Sequence, residues 1–386
     1  EPAIEVEAPA AVVTHEDEAE LPPVLEEAEP VQPEVEFVPH SADEFKKRGR
    51  SRWRQGRYDE AAADFHAALD VDPADTEART DLGLIALAQG DFRQGWPAYE
   101  AKLAESWPIS ALPQPGWEGS ELANHRILLR AEQSITDAVQ FIRYAPLVGK
   151  RGGRVIVRCR PELRHLLVDQ PGILLLVSTT DPMPKFYTHC PIASLPRVMG
   201  TTPEEIPADV PYLLADGKLV DKWYARVSAE PEGLKVGVAL RAGQRSAPSG
   251  EDSGSPASAL GSIGRVSGVR FYALQPPGEQ GDPALPSGVD ATDWTSSLSD
   301  LAQTAALISC LDLVITSDNV VAHLAGALGR PTWLLLPFVA DWRWMIGRND
   351  SPWYPTMRLF RQPETGNWES PAQELIAELR RKVQEQ

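Results

Sequence analysis

Short apolar runs alternate with amphipathic stretches twice in this chain, and that alternation limits its fold more than any other feature. From residue 126, "RILLRA" reads as a strand and "TDAVQFIRYAPLVGKRG" as a helix. "RVIVRC" is a second strand, "RPELRHLLVDQ" a second helix and "ILLLVST" a third strand. Such alternation predicts a parallel sheet with helices on its faces. It restarts at "LKVGVALRAG" and continues through "VRFYALQ", "DLVIT" and "TWLLLPF". Two α/β domains in series, joined near "ADGKLVDKWYARVSAEPEG", imply a cleft between them. Ligands of open α/β sheets lie outside the carboxyl ends of the strands. The last stretch, "SPAQELIAELRRKVQEQ", predicts a helix with Ser370 as cap and Pro371 at the first helical position.

Upstream the period changes. "GRSRWRQGRYDEAAADFHAALDVDP" and "GLIALAQGDFRQGWPAYEAKLAESWP" align at an offset of 34 residues. Gly49 falls on Gly83, Gly56 on Gly90, Tyr58 on Phe92 and Phe65 on Tyr99, with Pro73 closing the first unit. This pattern resembles the tetratricopeptide repeat, in which glycines let paired helices approach and aromatics fill the space between them. Two units are fewer than the three or more that usually stand alone. They are therefore expected to pack on the following domain or to continue an array from upstream.

Charge is unevenly spread. Residues 1–40 hold twelve Asp or Glu, seven Pro and no Lys or Arg, out of a net charge of −18. An acidic, Pro-rich segment buries too little apolar surface to offset chain entropy, so this tail is expected to be disordered. Net acidity also argues against nucleic acid as a partner. Cys159, Cys190 and Cys310 are scattered without metal-type spacing, which suits reduced thiols in a cytoplasmic protein. No apolar run approaches the ~20 residues that cross a bilayer. Residue 1 is Glu rather than Met, as in a fragment of a longer chain. The run from Ala242 to Gly264, rich in Ser, Gly and Pro, reads as a long mobile loop. The organisation expected is a tail (1–40), two repeats (41–112), a first Rossmann-like domain (113–228) and a second that ends in the final helix (229–386).

The chemistry concentrates in "TSDNVVAHLAGALGRPTWLLLPF", residues 316–338. Ser317, Asp318 and Asn319 sit where a buried strand gives way to a helix, with His323 one turn further in. A helix start offers unpaired N–H groups and about half a positive charge, which suits a phosphate. A Ser or Asp there also serves as an ordinary cap, and a lone His is most often structural.

The longer stretch "DLVITSDNVVAHLAGALGRPTWLLLPFVADWRWMIGRNDSPWYPTMRLFRQ" closely resembles the C-terminal domain of bacterial tetratricopeptide-repeat glycosyltransferases. These are similar to heptosyltransferases of glycosyltransferase family nine and, distantly, to O-linked N-acetylglucosamine transferases. "PGWEGSEL", "AEQ…DAVQFIRYAPLV" and "CPIASLPRVMGTTPEEIPADVPYL" fit in the same order, so the resemblance spans roughly residues 42–382. It implies a GT-B fold, two Rossmann-like domains facing across a cleft. It also implies a nucleotide-diphosphate sugar as co-substrate, no metal or other cofactor, and a protein or glycan acceptor presented by the repeats. Carried over by position, donor binding falls to Ser317, Asp318, Asn319, Val320 through its backbone, His323, Gln275 and Arg241. Trp342, Arg343 and Trp344 would wall the cleft, and Asp137 would be the general base.

Two segments depart from the family. Where "Gly-Leu-Gly-Asp" is usual after the first strand, this chain reads "SITD", residues 134–137. Asp137 remains, but Ser134 and Thr136 replace glycines that admit a close substrate. After "VGVAL" the usual Trp-Ala-Gly-Asn-Pro segment is replaced by "RAGQRSAPSGEDSG", which keeps Arg241 and Arg245. Asn319 stands where Thr or Ser is usual, a change expected to do little harm. Two readings follow: a metal-independent glycosyltransferase, or a catalytically degenerate relative that serves as a protein-binding scaffold. No G-x-G-x-x-G follows any strand, which speaks against a nicotinamide dehydrogenase.

Overall fold

The computed structural model describes residues 39–106, 112–241, 255–274, 285–286 and 288–385. The acidic tail, Gln275, Arg245 and the first half of the 242–264 loop lie outside them. Four helices come first: α1 (Ala42–Arg54), α2 (Tyr58–Val71), α3 (Thr76–Gln89) and α4 (Phe92–Ser106). They pair as two antiparallel hairpins, and the aligned glycines explain the pairing. A Cβ on Gly49 would meet the Phe65 ring at 3.0 Å, and one on Gly83 would meet Ala98 at 2.1 Å. Gly56 and Gly90 close the two hairpin turns with φ of +73° and +89°, the left-handed region that suits glycine.

The first helix carries six basic residues between Lys46 and Arg54, and Arg57 follows it, a run that net acidity conceals. Most are neutralised within the repeats. Arg48 and Arg52 both grip buried Asp64 of α2, at 2.6 and 2.9 Å. Lys46 bonds Asp75 and Glu77, and Arg50 bonds Asp81.

The first domain contains β1 (Arg126–Ala131), α5 (Ile135–Phe141), α6 (Ala145–Lys150), β2 (Arg154–Cys159), α7 (Arg164–Leu167), β3 (Leu175–Ser178), β4 (Thr188–Pro191) and α8 (Leu195–Val198). The single helix expected over 136–152 is broken by a 3-10 turn at Ile142–Tyr144. Pro146, which lacks an N–H and clashes one turn back, accounts for the break. All pairings are parallel, in the order β3-β2-β1-β4.

The second domain holds α9 (Gly217–Ser228), β5 (Leu234–Ala239), β6 (Val269–Ala273), β7 (Ala291–Asp293), α10 (Leu301–Ser309), β8 (Leu313–Ser317), α11 (Val320–Ala327), β9 (Thr332–Leu336), β10 (Met357–Arg361) and α12 (Glu369–Gln384). Its strand order, β10-β9-β8-β5-β6-β7, is the doubly wound Rossmann order, reversing between β5 and β8. The joint between domains is itself helical, since α9 packs on α10. Helix α12 starts one residue before Ser370. Asn367, not Ser370, supplies the terminal bond by accepting from the Ser370 N–H at 3.3 Å. The described half of the 242–264 loop is anchored rather than mobile, with Leu260 and Ile263 buried in the second core.

Helix α5 packs against α11. Because these helices follow β1 and β8, the carboxyl ends of the two sheets face each other, which is the GT-B architecture. The repeats close one side of this junction. Phe92, Trp96 and Tyr99 of α4 pack with Phe141, Trp342 and Trp353, the Trp96 and Trp342 rings standing edge to face at 5.2 Å. One continuous core therefore runs through the repeats and both domains.

Candidate functional site

The site forms where the two reversal points meet. In the second sheet the strand β8 ends at Ser317, and Asn319 caps α11, its Oδ1 accepting from Val321 N at 2.9 Å and Ala322 N at 3.4 Å. Its Nδ2 turns back across the sheet and donates to the Ala239 and Arg241 carbonyls, at 3.0 and 2.9 Å. Thr316 Oγ1 donates to the same Ala239 carbonyl at 2.7 Å. The crevice between β5 and β8, where such sheets bind ligands, is thus stitched by the side chain expected to face a donor. Asn319 also occupies two of the helix amides that a phosphate would use. Ser317 is buried beside it, its Oγ 3.4 Å from Asn319 Nδ2. Asp318, Val320 and Arg241 are half-buried around the turn.

His323 is fully buried. Its Nδ1 lies 2.7 Å from the Tyr354 hydroxyl, and its ring packs 5.2 Å from that of Trp344. Nε2 points back to the turn, 3.9 Å from Asp318 Oδ1, and has no hydrogen-bond partner. Burial, with Arg343 and Arg143 nearby, holds its pKa well below the usual histidine value. The imidazole is therefore neutral at physiological pH. In the tautomer in which Tyr354 donates to Nδ1, Nε2 carries the hydrogen and faces the turn as a donor.

The first sheet ends differently. Ser134 caps α5 by accepting from Asp137 N at 3.3 Å, a use for the side chain that replaces the family glycine. Asp137 is 1% exposed. Its two carboxylate oxygens each accept from the Tyr99 hydroxyl at 3.0 Å, and Oδ1 forms an ion pair with Arg343. Arg343 is itself buried and donates to Tyr99 Oη at 2.8 Å, Gln140 Oε1 at 2.7 Å and Asp341 Oδ1 at 2.8 Å. The candidate base is thus held by one residue of the repeats and one of the second domain.

The expected cleft wall needs correcting accordingly. Trp342, Arg343 and Trp344 are 2%, 3% and 0% exposed and form the core of the three-way junction rather than a solvent-facing wall. The aromatic face of α4 requires that cover.

Three residues of this junction escape the sequence argument. Repeat alignment assigns Tyr99 only a packing role, with no hint of its hydroxyl chemistry. Arg143 donates to the Trp353 and Pro207 carbonyls at 2.7 and 3.2 Å and to Tyr212 Oη at 2.9 Å. Its guanidinium also lies 4.2 Å from the Tyr212 ring centre and 4.8 Å from that of Tyr354. Tyr354 then continues to His323, so a run of polar contacts links the turn at Ser317–Val320 to the first domain.

Comparison with known proteins agrees with the repeat assignment. The tetratricopeptide-repeat family model matches residues 46–108. Protein FlbA of Caulobacter vibrioides is 25% identical over 374 aligned residues, covering 87% of this chain and 61% of that protein. The chain thus spans about three-fifths of that relative's length. Among solved structures, a glycosyl transferase family 9 protein from Veillonella parvula is 11% identical with a TM-score of 0.49, over 70% of this chain and 100% of the other. The ADP-heptose lipopolysaccharide heptosyltransferase II of E. coli is 13% identical with a TM-score of 0.48, over 67% and 99%. The iron-containing dodecameric glycosyltransferase TibC of enterotoxigenic E. coli is 13% identical with a TM-score of 0.44, over 71% and 78%. No described helix is long and apolar enough to cross a membrane.

Proposed function

We propose that this chain is a glycosyltransferase that takes a nucleotide-diphosphate sugar at the turn Ser317–Val320, while its repeats hold a protein or glycan acceptor. The observation that carries the reading is His323 Nε2. It is buried, neutral and unpartnered, one turn inside the helix that starts at the sheet's reversal point. A buried polar atom without a partner costs about 1–3 kcal/mol, and such a group asks for an explanation. A donor oxygen, stabilised as charge develops on the departing diphosphate, provides one. Ser317, Asp318, the Val320 backbone and Arg241 surround the same turn, and Gln275 is proposed to join them from the end of β6. Asp137 remains the proposed base, on condition that Arg343 and Tyr99 release it. No acceptor hydroxyl reaches a carboxylate that is 1% exposed.

That condition favours a second reading on a specific observation. If the Asp137–Arg343–Tyr99 contact never opens, the chain is a degenerate transferase that binds partners without turnover. Calorimetric titration with nucleoside diphosphates and a sugar-transfer assay separate the two. Nucleotide binding weakened by Asp318→Ala and His323→Gln, with transfer abolished by Asp137→Asn, supports the enzyme. Binding without transfer supports the scaffold. No binding of any nucleotide would end the donor-turn reading.

A further inference from the structure

Strands β1 and β2 repeat one pattern, "RILLR" and "RVIVR", and the sheet register sets Arg126 opposite Arg154 and Arg130 opposite Arg158. Residues paired in a parallel ladder point to the same face of the sheet, on strands about 4.8 Å apart. Like charges placed directly opposite each other destabilise a sheet. The inner pair is resolved internally. Glu132 accepts from Arg130 at 3.1 Å and from Arg158 at 2.5 Å.

The outer pair has no such relief. Both Arg126 and Arg154 are exposed, and among the described residues neither guanidinium has an ion-pair or hydrogen-bond partner. Their backbones are fixed, however. Arg154 N donates to the His125 carbonyl at 2.9 Å, and Tyr187 N donates to the Arg126 carbonyl at 2.8 Å. Tyr187, 58% exposed, stacks on His125 with ring centres 4.3 Å apart, and Lys185 is exposed two residues earlier. Leu175, in register with Ile156, adds an exposed apolar side chain one row further in.

This face is thinly covered for a topological reason. The β3–β4 connection contains no helix, so Leu128, Ile156 and Val177 are covered, among the described residues, by Leu112 and Phe186. The opposite face lies under α5 to α7.

We propose that this cationic row, at the amino ends of β1 and β2, docks an acidic segment of a partner protein. Charge complementarity names the partner. Two adjacent unneutralised guanidiniums, flanked by Lys185 and an exposed aromatic ring, suit carboxylates set beside apolar side chains. A long polyanion suits them poorly, since two guanidiniums with Lys185 offer few contacts to a phosphate backbone and the chain's net charge of −18 repels it at long range. The row lies at the opposite ends of the strands from the donor turn, so a docked partner leaves that turn open. The inference is independent of whether the chain transfers sugar.

The test is fluorescence anisotropy with a fluorescein-labelled Glu- and Tyr-rich peptide, using the full chain. Binding is expected to weaken at least tenfold in Arg126→Glu/Arg154→Glu and to fall with added salt. It should be unchanged in Lys47→Glu, a charge reversal at an exposed basic residue of the repeats. The milder Arg126→Gln/Arg154→Gln variant guards against misfolding, since removing the repulsion should leave the melting temperature equal or higher. Three results overturn the proposal: wild-type affinity in both double variants, loss of binding in Lys47→Glu alone, or tighter binding of an equally charged oligonucleotide or anionic vesicle than of the peptide.

Discussion

At the end of β1 the chain turns through Ser134 into α5; at the end of β8 it turns through Asp318 into α11. Both turns lie at a sheet's reversal point, both helices are capped by a polar side chain, and each carries a titratable group within its first turn or so. They differ in how that group is satisfied. Asp137 has a hydroxyl from the repeats and a guanidinium from the second domain. His323 has one partner and one bare nitrogen. The first turn is closed by the protein itself, and the second is left with a polar atom to fill. Side-chain identity alone does not decide which of two equivalent turns is open; what the neighbouring domain places against it does.

The largest effect is expected where the closed turn is broken from one side. Arg343→Met would leave Asp137 buried without the guanidinium that pairs with it. Removing one member of a buried ion pair costs about 3–5 kcal/mol, because the other charge stays desolvated. Urea unfolding of Arg343→Met should show that loss, and Asp137→Asn/Arg343→Met should recover most of it. A loss below about 1 kcal/mol would mean the contact is loose, and Asp137 is then available as it stands.

Tyr99→Phe probes the same turn more gently. It keeps the ring among Trp96 and Trp342 and removes only the hydroxyl that bridges Asp137 and Arg343. Leaving buried polar groups short of a bond costs about 1–3 kcal/mol. In a working transferase the same change should ease the release of Asp137 and raise turnover while lowering stability. Lower stability with turnover unchanged or reduced would show that the hydroxyl does not hold the base back.

The open turn makes a prediction about acid. His323 is neutral in the folded chain with its pKa well below 6.5, whereas the unfolded chain takes up the proton near that value. The unfolded state therefore binds more protons as pH falls below about 6.5. The stability contributed by this group is complete above that value and is lost on acidification, at up to about 1.4 kcal/mol per pH unit. In His323→Gln that share of the acid slope should vanish between pH 6.5 and 5. Parallel slopes for wild type and variant would mean that the imidazole titrates normally and is not sealed.

Much of this molecule is legible in its sequence, and what is not follows from packing between distant segments. The strands β1 and β2, the repeat glycines and the turn at 316–320 emerge from local pattern, because pleat period, φ sign and capping are local properties. The neutralisation of the α1 cations is invisible to a net charge, since Asp64, Asp75 and Asp81 must be brought opposite them. Asp137 is legible as a carboxylate at the right place, but its occupation by Arg343, 206 residues away, is not. The aromatics at 342 and 344 read equally well as wall or core until Trp96 is placed on them. For the same reason His323→Ala is a poor probe of binding: a ring hydrogen-bonded to Tyr354 and wholly buried is also structural.

The smallest effect concerns Asn319, the residue expected from sequence to be a harmless replacement for Thr or Ser. Its cap could be supplied by a Thr hydroxyl, which ranks only slightly below Asn at that position. The stitch to β5 could not, because a Thr side chain is shorter and has no amide to reach both Ala239 and Arg241. The Ala239 carbonyl would keep its bond from Thr316, so only the Arg241 carbonyl loses its side-chain partner. Asn319→Thr should therefore cost about 1 kcal/mol, the net worth of one hydrogen bond. It should also loosen the crevice at the reversal point, because the Asn319 amide no longer reaches across to Arg241, while Thr316 keeps its bond to Ala239. If that bridge is what narrows the donor site, nucleoside diphosphate affinity should rise severalfold in calorimetry while the melting temperature falls slightly. Should affinity fall instead, Asn319 holds Arg241 in place for the ligand, and the stitch is part of the binding site rather than an obstruction in it.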